Sequence, residues 1–143
     1  MTLLVIHLVA TAMMAGLIWF VQVVHYPLFD AVGAEQSVAY AHEHQRRTSY
    51  VVGPPMAVEG VTALLLFFRP PRGTGSVWPF VGLVLLGIVH ASTVFLQVPQ
   101  HARLAESYDP ARVRFLVRTN WARTLGWTAR TALAAGLVIA AVD

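Results

Sequence analysis

The sequence predicts an all-α fold, an integral membrane antiparallel four-helix bundle, and three observations predict it. Of its 143 residues 57% are hydrophobic and only 12% charged, with a mean hydropathy of +0.61; soluble domains carry about 25% charged residues. The apolar residues fall into four runs of roughly 20, the length that crosses a bilayer, separated by clusters of turn formers and charges. Two of these runs each carry a polar stripe at helical spacing, so that the stripes face a neighbouring helix and not lipid.

The first span covers about residues 3–24 and is interrupted by His7, Thr11 and Gln22; it ends at His25-Tyr26-Pro27, where proline and an aromatic mark the interface. Its start lacks a basic n-region and a small-residue cleavage site, so it reads as a retained span and not a signal peptide. From Gly33 to Tyr50 a polar stretch of good helix formers predicts an amphipathic lead-in on the membrane surface. Gly53-Pro54-Pro55 reads as a breaker between that lead-in and the second span, about 51–68, because proline is tolerated in a first helical turn. Glu59 is the single charge inside this span, and Arg69-Pro-Pro-Arg-Gly-Thr-Gly closes it as a turn.

The third span, about 77–98, has Trp78 at one interface and kinks or extends beyond Pro99. Asp109-Pro110 sets a helix N-terminus, leading through Arg112, Arg114 and Arg118 into the fourth span, about 121–142. Small residues at Ala15, Gly16, Gly60, Gly82, Gly87, Gly126 and Gly136 are expected to let the backbones approach closely. Together the spans form one domain, with no room for a separate soluble one.

All ten basic side chains are arginine and cysteine is absent, which excludes disulfides and thiolate metal sites. The basic excess belongs to membrane topology and not to nucleic acid. Arg46, Arg47, Arg103, Arg112, Arg114, Arg118 and Arg123 lie on one side and only Arg69 and Arg72 on the other. The positive-inside rule therefore predicts a multi-pass protein of the cell membrane with both termini on the non-cytoplasmic side.

An antiparallel order gathers the polar residues at one end. The stripes are His90, Thr93, Gln97 and His101 on the third span and Asn120, Arg123, Trp127 and Arg130 on the fourth. Glu59, His90 and Arg130 fall at similar depths and are expected to meet, with His25, Gln97, His101, Asn120 and Arg123 above them. Charges inside a membrane are costly, pair with one another and often mark function.

Four readings of this constellation stay open. Glu59 and Arg130 form a structural ion pair with His90 as a hydrogen-bond partner. Alternatively His25, Glu59 and His90 bind a transition metal, although His42 and His44 diverge on a helix and cannot clamp one ion. In the third reading two of His25, His90 and His101 ligate a non-covalent haem, with Trp127 in the cofactor pocket. In the fourth no cofactor is bound: a His base, with Arg or Asn stabilising an oxyanion, acts on a lipophilic molecule that enters from the bilayer between the aromatics Trp19, Tyr26, Trp121 and Trp127. His7 reads as near the opposite face and outside any cluster.

Several segments together resemble a known pattern: the Ala15-Gly16 span ending near Tyr26-Pro27-Leu28-Phe29, the proline-opened second span, Gln97-Val-Pro-Gln-His101-Ala-Arg-Leu-Ala, and above all Asn120-Trp121-Ala-Arg123-Thr124-Leu-Gly-Trp127-Thr128-Ala-Arg130. The chain resembles the anthrone-oxygenase-like family of small four-helix membrane proteins. That resemblance implies a four-helix fold and an oxygenase or related oxidoreductase acting on a lipophilic aromatic or quinone-like molecule, and it carries over Asn120, Trp121 and Arg123. The expected catalytic set is thus Glu59, His90, Arg130, Asn120 and Arg123. The alternative is a non-catalytic subunit or a carrier of a small molecule or proton, with the bilayer, a homodimer or a larger membrane complex as its partners.

Overall fold

The computed structural model describes residues 1–142 and is helical almost throughout. Helix α1 (Thr2–Phe20) continues through a π-helical turn (Val21–His25) and a 3₁₀ turn (Pro27–Ala31). Helix α2 spans Ala34–Phe68. Helix α3 (Val77–Ser92) runs through a second π-helical turn (Thr93–Gln97) into the short α4 (Val98–Leu104). Helix α5 (Pro110–Ala140) completes the bundle. α1 packs on α2 and α5, and α3 packs on the same two, so the four rods stand in a square in chain order.

Three rods, Thr2–Ala31, Ala34–Phe68 and Val77–Leu104, are long and apolar enough to cross a membrane. α5 falls short of that composition because Arg123 and Arg130 lie within it. Both arginines are buried, however, while Leu125 and Ile139 are among its exposed residues, so the polar groups of α5 turn inward.

The predicted break at Gly53-Pro54-Pro55 is not there. α2 is one continuous 35-residue helix with both prolines inside it. At 1.5 Å per residue it is about 52 Å long, well beyond the ~30 Å of a hydrocarbon core, so its polar first half extends past the apolar zone. Each proline lacks the N–H that would bond the carbonyl four residues back, which leaves Tyr50 and Val51 carbonyls without their helical partners but does not stop the helix. Asp109 caps α5 as its sequence suggests: its carboxylate accepts a 2.8 Å bond from the Ala111 N–H, with Pro110 in the first turn.

Apolar and polar layers alternate along the axis. Tyr26, Phe29, Leu104, Val113 and Leu116 close the end near the α1–α2 and α4–α5 connections; Met14, Ile18, Val89 and Trp127 fill the middle; Leu4, Leu66 and Leu137 fill the other end. Of the small residues expected to bring helices together, Gly126 does so most closely. A Cβ there would lie 2.5 Å from Val89 Cγ2, and one at Gly82 would touch Leu133 at 3.4 Å. Gly16, Gly60, Gly87 and Gly136 have open space where a Cβ would stand, so they are not packing seams within this chain.

Candidate functional site

Two polar layers lie between the three apolar ones. The deeper one is built around Glu59. Its Oε1 accepts a 2.8 Å bond from Arg130 Nε and its Oε2 a 2.8 Å bond from Trp127 Nε1. Arg130 Nη1 donates to the Gly82 carbonyl, bringing in α3. All three side chains are at most 1% exposed. This is the predicted pair, but not with the predicted third member.

His90 stays out of it. Its ring is half-buried and bonds the Leu86 carbonyl of its own helix at 3.0 Å. The cause is the π turn at Thr93–Gln97. Such a turn holds one residue more than an α-turn, so counting back from Gln97 at 3.6 residues per turn misplaces the inward face by one position. The buried residues above the turn are Val89 and Ser92, not His90 and Thr93. His25, Glu59 and His90 therefore do not converge as a metal set, and among the described residues no three His, Asp or Glu side chains stand where they would hold one ion. His7, expected to be isolated, is instead buried beside this layer, with Nδ1 2.8 Å from Thr62 Oγ1. Because the Thr62 hydroxyl donates to the Val58 carbonyl at 2.7 Å, His7 is the donor in that pair.

The second layer is wider and richer. Gln22 and Gln97, one from each π turn, reach the α5 stripe. Asn120 Nδ2 donates to Gln22 Oε1 at 3.0 Å, Gln22 Nε2 to the Val117 carbonyl at 3.1 Å, and Gln97 Nε2 to Thr119 Oγ1 at 2.8 Å. Arg123 Nη1 donates to Asn120 Oδ1 at 3.2 Å, and its guanidinium lies over the Trp127 ring, 5.4 Å from the centroid. Above them three imidazoles cluster. His25 and His44 rings are 4.6 Å apart and His44 and His101 4.8 Å. His25 Nε2 meets His44 Nδ1 at 2.6 Å, and His101 Nε2 meets Tyr26 Oη at 2.8 Å. One nitrogen in the His25–His44 contact must lack a proton, so that pair carries at most one positive charge. For haem the ring nitrogens are poorly disposed: both Nε2 atoms of His25 and His101 are already bonded within the protein, and His90 lies elsewhere.

This layer borders a cavity of about 330 Å³ between α1, α2 and the π turn of the third rod, at the low end of the range for small-molecule sites. Met14, Leu17, Ile18, Val52 and Met56 make its apolar wall; Tyr26, His44, Gln97, His101 and Arg123 make its polar end. No family model, no curated protein and no solved structure matches the chain. Its chemistry is therefore read from the cavity itself. Three buried atoms of residues lining it have no hydrogen-bond partner: Arg123 Nε, His101 Nδ1 and Gln97 Oε1. Buried polar groups are rarely left so, because each costs about 1–3 kcal/mol.

Of the aromatics expected to form walls, Tyr26 lines the cavity and the fully buried Trp127 lies beneath Arg123. Trp19 and Trp121 instead form an edge-to-face pair on the exposed surface, with Trp19 Nε1 donating to Thr128 Oγ1 at 3.0 Å. His44, which sequence reading set aside with the divergent His42, is a central member of the site. The divergence itself signals this: on a helix only one of two imidazoles two residues apart can face inward, and here His42 is exposed and His44 buried.

Proposed function

We propose that this is a multi-pass protein of the cell membrane, with all four rods crossing the bilayer and both termini on the non-cytoplasmic side. In this reading it is an oxidoreductase of the oxygenase type that takes a lipophilic aromatic or quinone-like substrate from the bilayer into the 330 Å³ cavity. The observation that carries the proposal is the set of unpartnered polar atoms, Arg123 Nε, His101 Nδ1 and Gln97 Oε1, at one end of an otherwise apolar chamber. A flat lipophile fits between Met14, Ile18 and Met56, and its oxygen substituent meets those atoms.

The roles follow from the chemistry of each group. The Arg123 guanidinium holds the substrate oxygen and stabilises negative charge on it. His101, whose Nδ1 is free on the cavity side, takes up the proton that the substrate loses, with the hydrogen-bonded His44–His25 pair packed beside it. The substrate carbon that has lost this proton adds dioxygen, the oxidant that the resemblance to anthrone-oxygenase-like proteins suggests, and the hydroperoxide formed loses water to leave a carbonyl, so that one oxygen enters the product and the other departs as water. Asn120, held by Gln22, keeps Arg123 in place. Glu59 neutralises Arg130 at 2.8 Å, although Arg130 Nη2 is itself without a hydrogen-bond partner, and the neutralised charge supports a structural role for that pair outside the catalytic set.

The test is dioxygen uptake by the purified protein in nanodiscs, with a hydroxylated tricyclic aromatic and a short-chain quinol as substrates, after absorption spectra and metal analysis of the same sample. Uptake lost in His101→Ala and Arg123→Gln supports the proposal. Saturable binding without any uptake turns the reading to a carrier.

A further inference from the structure

Arg123 and Arg130 differ in one respect that points to the ligand. Arg130 is neutralised by Glu59 at 2.8 Å. Arg123 is 6% exposed, yet among the described residues no carboxylate lies within salt-bridge distance of it. Its partners are all neutral: Asn120 Oδ1 at 3.2 Å, the face of Trp127, and the Tyr26 phenol beside its guanidinium. Its Nε has no hydrogen-bond partner, as Arg130 Nη2 has none, so what sets Arg123 apart is the missing carboxylate and the cavity that it lines. A buried cation is costly unless a counter-charge meets it, and the described residues supply none here.

We infer that the counter-charge is the ligand: the cavity binds a lipophilic organic anion, an oxyanion on an apolar body, with the oxyanion on Arg123 and His101 and the body against Met14, Ile18 and Met56. The inference rests on the reading of the cavity as a substrate site and narrows it. Guanidinium takes an oxyanion through Nε and Nη together, and here Nε is the atom left open. His101 Nδ1 stands as a second contact, a donor when its Nε2 accepts from Tyr26. Gln97 Oε1 offers no attraction to an anion and marks the side where a neutral or hydroxyl-bearing edge of the ligand lies.

Two sources share this chemistry, a free aromatic acid and an anionic lipid whose headgroup reaches the polar end. Matched probes separate them. The full chain in zwitterionic nanodiscs is titrated with 2-naphthoate, with its uncharged methyl ester, with menadione as a neutral quinone, and with phosphatidate added to the discs, following thermal stabilisation and Trp fluorescence. The expected result is saturable stabilisation by naphthoate or by phosphatidate, with the ester at least about 10-fold weaker. Arg123→Gln lowers the affinity for the anion about 10- to 100-fold and leaves the response to the ester unchanged, whereas the exposed Arg103→Gln behaves as the native chain. Arg123→Lys, which keeps the charge but not the open Nε, is intermediate. Equal binding of naphthoate and its ester, or an anion effect that survives Arg123→Gln, overturns the inference. The outcomes also separate it from the proposed activity: menadione binding with dioxygen uptake but no anion preference removes the anion and keeps the oxidoreductase, while Arg123-dependent anion binding without uptake does the reverse.

Discussion

Arg123 and Arg130 stand seven residues apart on one face of α5, and both are buried. In the deeper layer the cation has a carboxylate, an indole N–H completes that carboxylate, and none of the three side chains lines the cavity beside Arg123. In the upper layer a buried cation has neutral partners alone, an amide, a ring face and the Tyr26 phenol, and it borders a cavity. The same residue type on the same helix therefore serves two purposes. Where the described residues supply the counter-charge the arginine holds helices together; where they do not, the arginine is, in our proposal, left for a ligand.

The contrast is broken most severely in the deeper layer. Removing one partner of a buried ion pair leaves the other uncompensated, so Glu59→Gln or Arg130→Gln is expected to cost about 3–5 kcal/mol in detergent unfolding. Replacing both, Glu59→Gln with Arg130→Met, recovers most of the loss. If each single variant unfolds like the native chain, the deep layer is not the structural one.

The seam between the layers comes next. Gly126→Ala drives a Cβ to 2.5 Å from Val89 Cγ2, and overpacking of this kind costs about 1–3 kcal/mol. Val89→Ala in the same chain restores the room, and a thermal scan of the pair reads both effects. Trp127→Phe keeps a ring beneath Arg123 but removes the donor to Glu59 Oε2, at about 1–3 kcal/mol for the unsatisfied acceptor. Its loss appears in unfolding and far less in anion affinity, because the two functions of this indole lie on different atoms.

Arg123→Gln sharpens the comparison by doing the opposite of Arg130→Gln. Without ligand its stability falls by no more than about 1–3 kcal/mol, because the cost of the Asn120 Oδ1 acceptor it leaves is offset by removal of a buried charge with no counter-ion, and no carboxylate is stranded. A loss as large as that of Arg130→Gln would mean that Arg123 has a structural partner. His90→Ala has the smallest expected effect, within about 0.5 kcal/mol, since the ring is half-buried and bonds only its own helix; circular dichroism and dioxygen uptake both stay at native levels.

The α5 stripe was legible because α5 is one uninterrupted α-helix, and Asn120, Arg123, Trp127 and Arg130 all turn inward as counting at 3.6 residues per turn requires. The Glu59–Arg130 pair was legible as well, from two opposite charges at matched depth in antiparallel rods. The same counting failed on the third rod, where the π turn shifted the phase, and His90 was misread for that reason alone. The reading of α2 as two pieces gave too much weight to Pro54 and Pro55, whose cost a packed helix absorbs.

By itself the sequence determined the local and one-dimensional properties: helical rods, their apolar outer faces, the Asp109 cap, and which residues of a regular helix share a side. Those depend on periodicity and propensity, which neighbours along the chain decide. Tertiary structure alone decided that His44 joins His25 and His101, that His7 finds Thr62, and that Arg123 receives no carboxylate while Arg130 does. Each of these depends on the phase and height at which residues on different rods meet, and two π turns and a continuous α2 set that phase and height in ways no local pattern encodes.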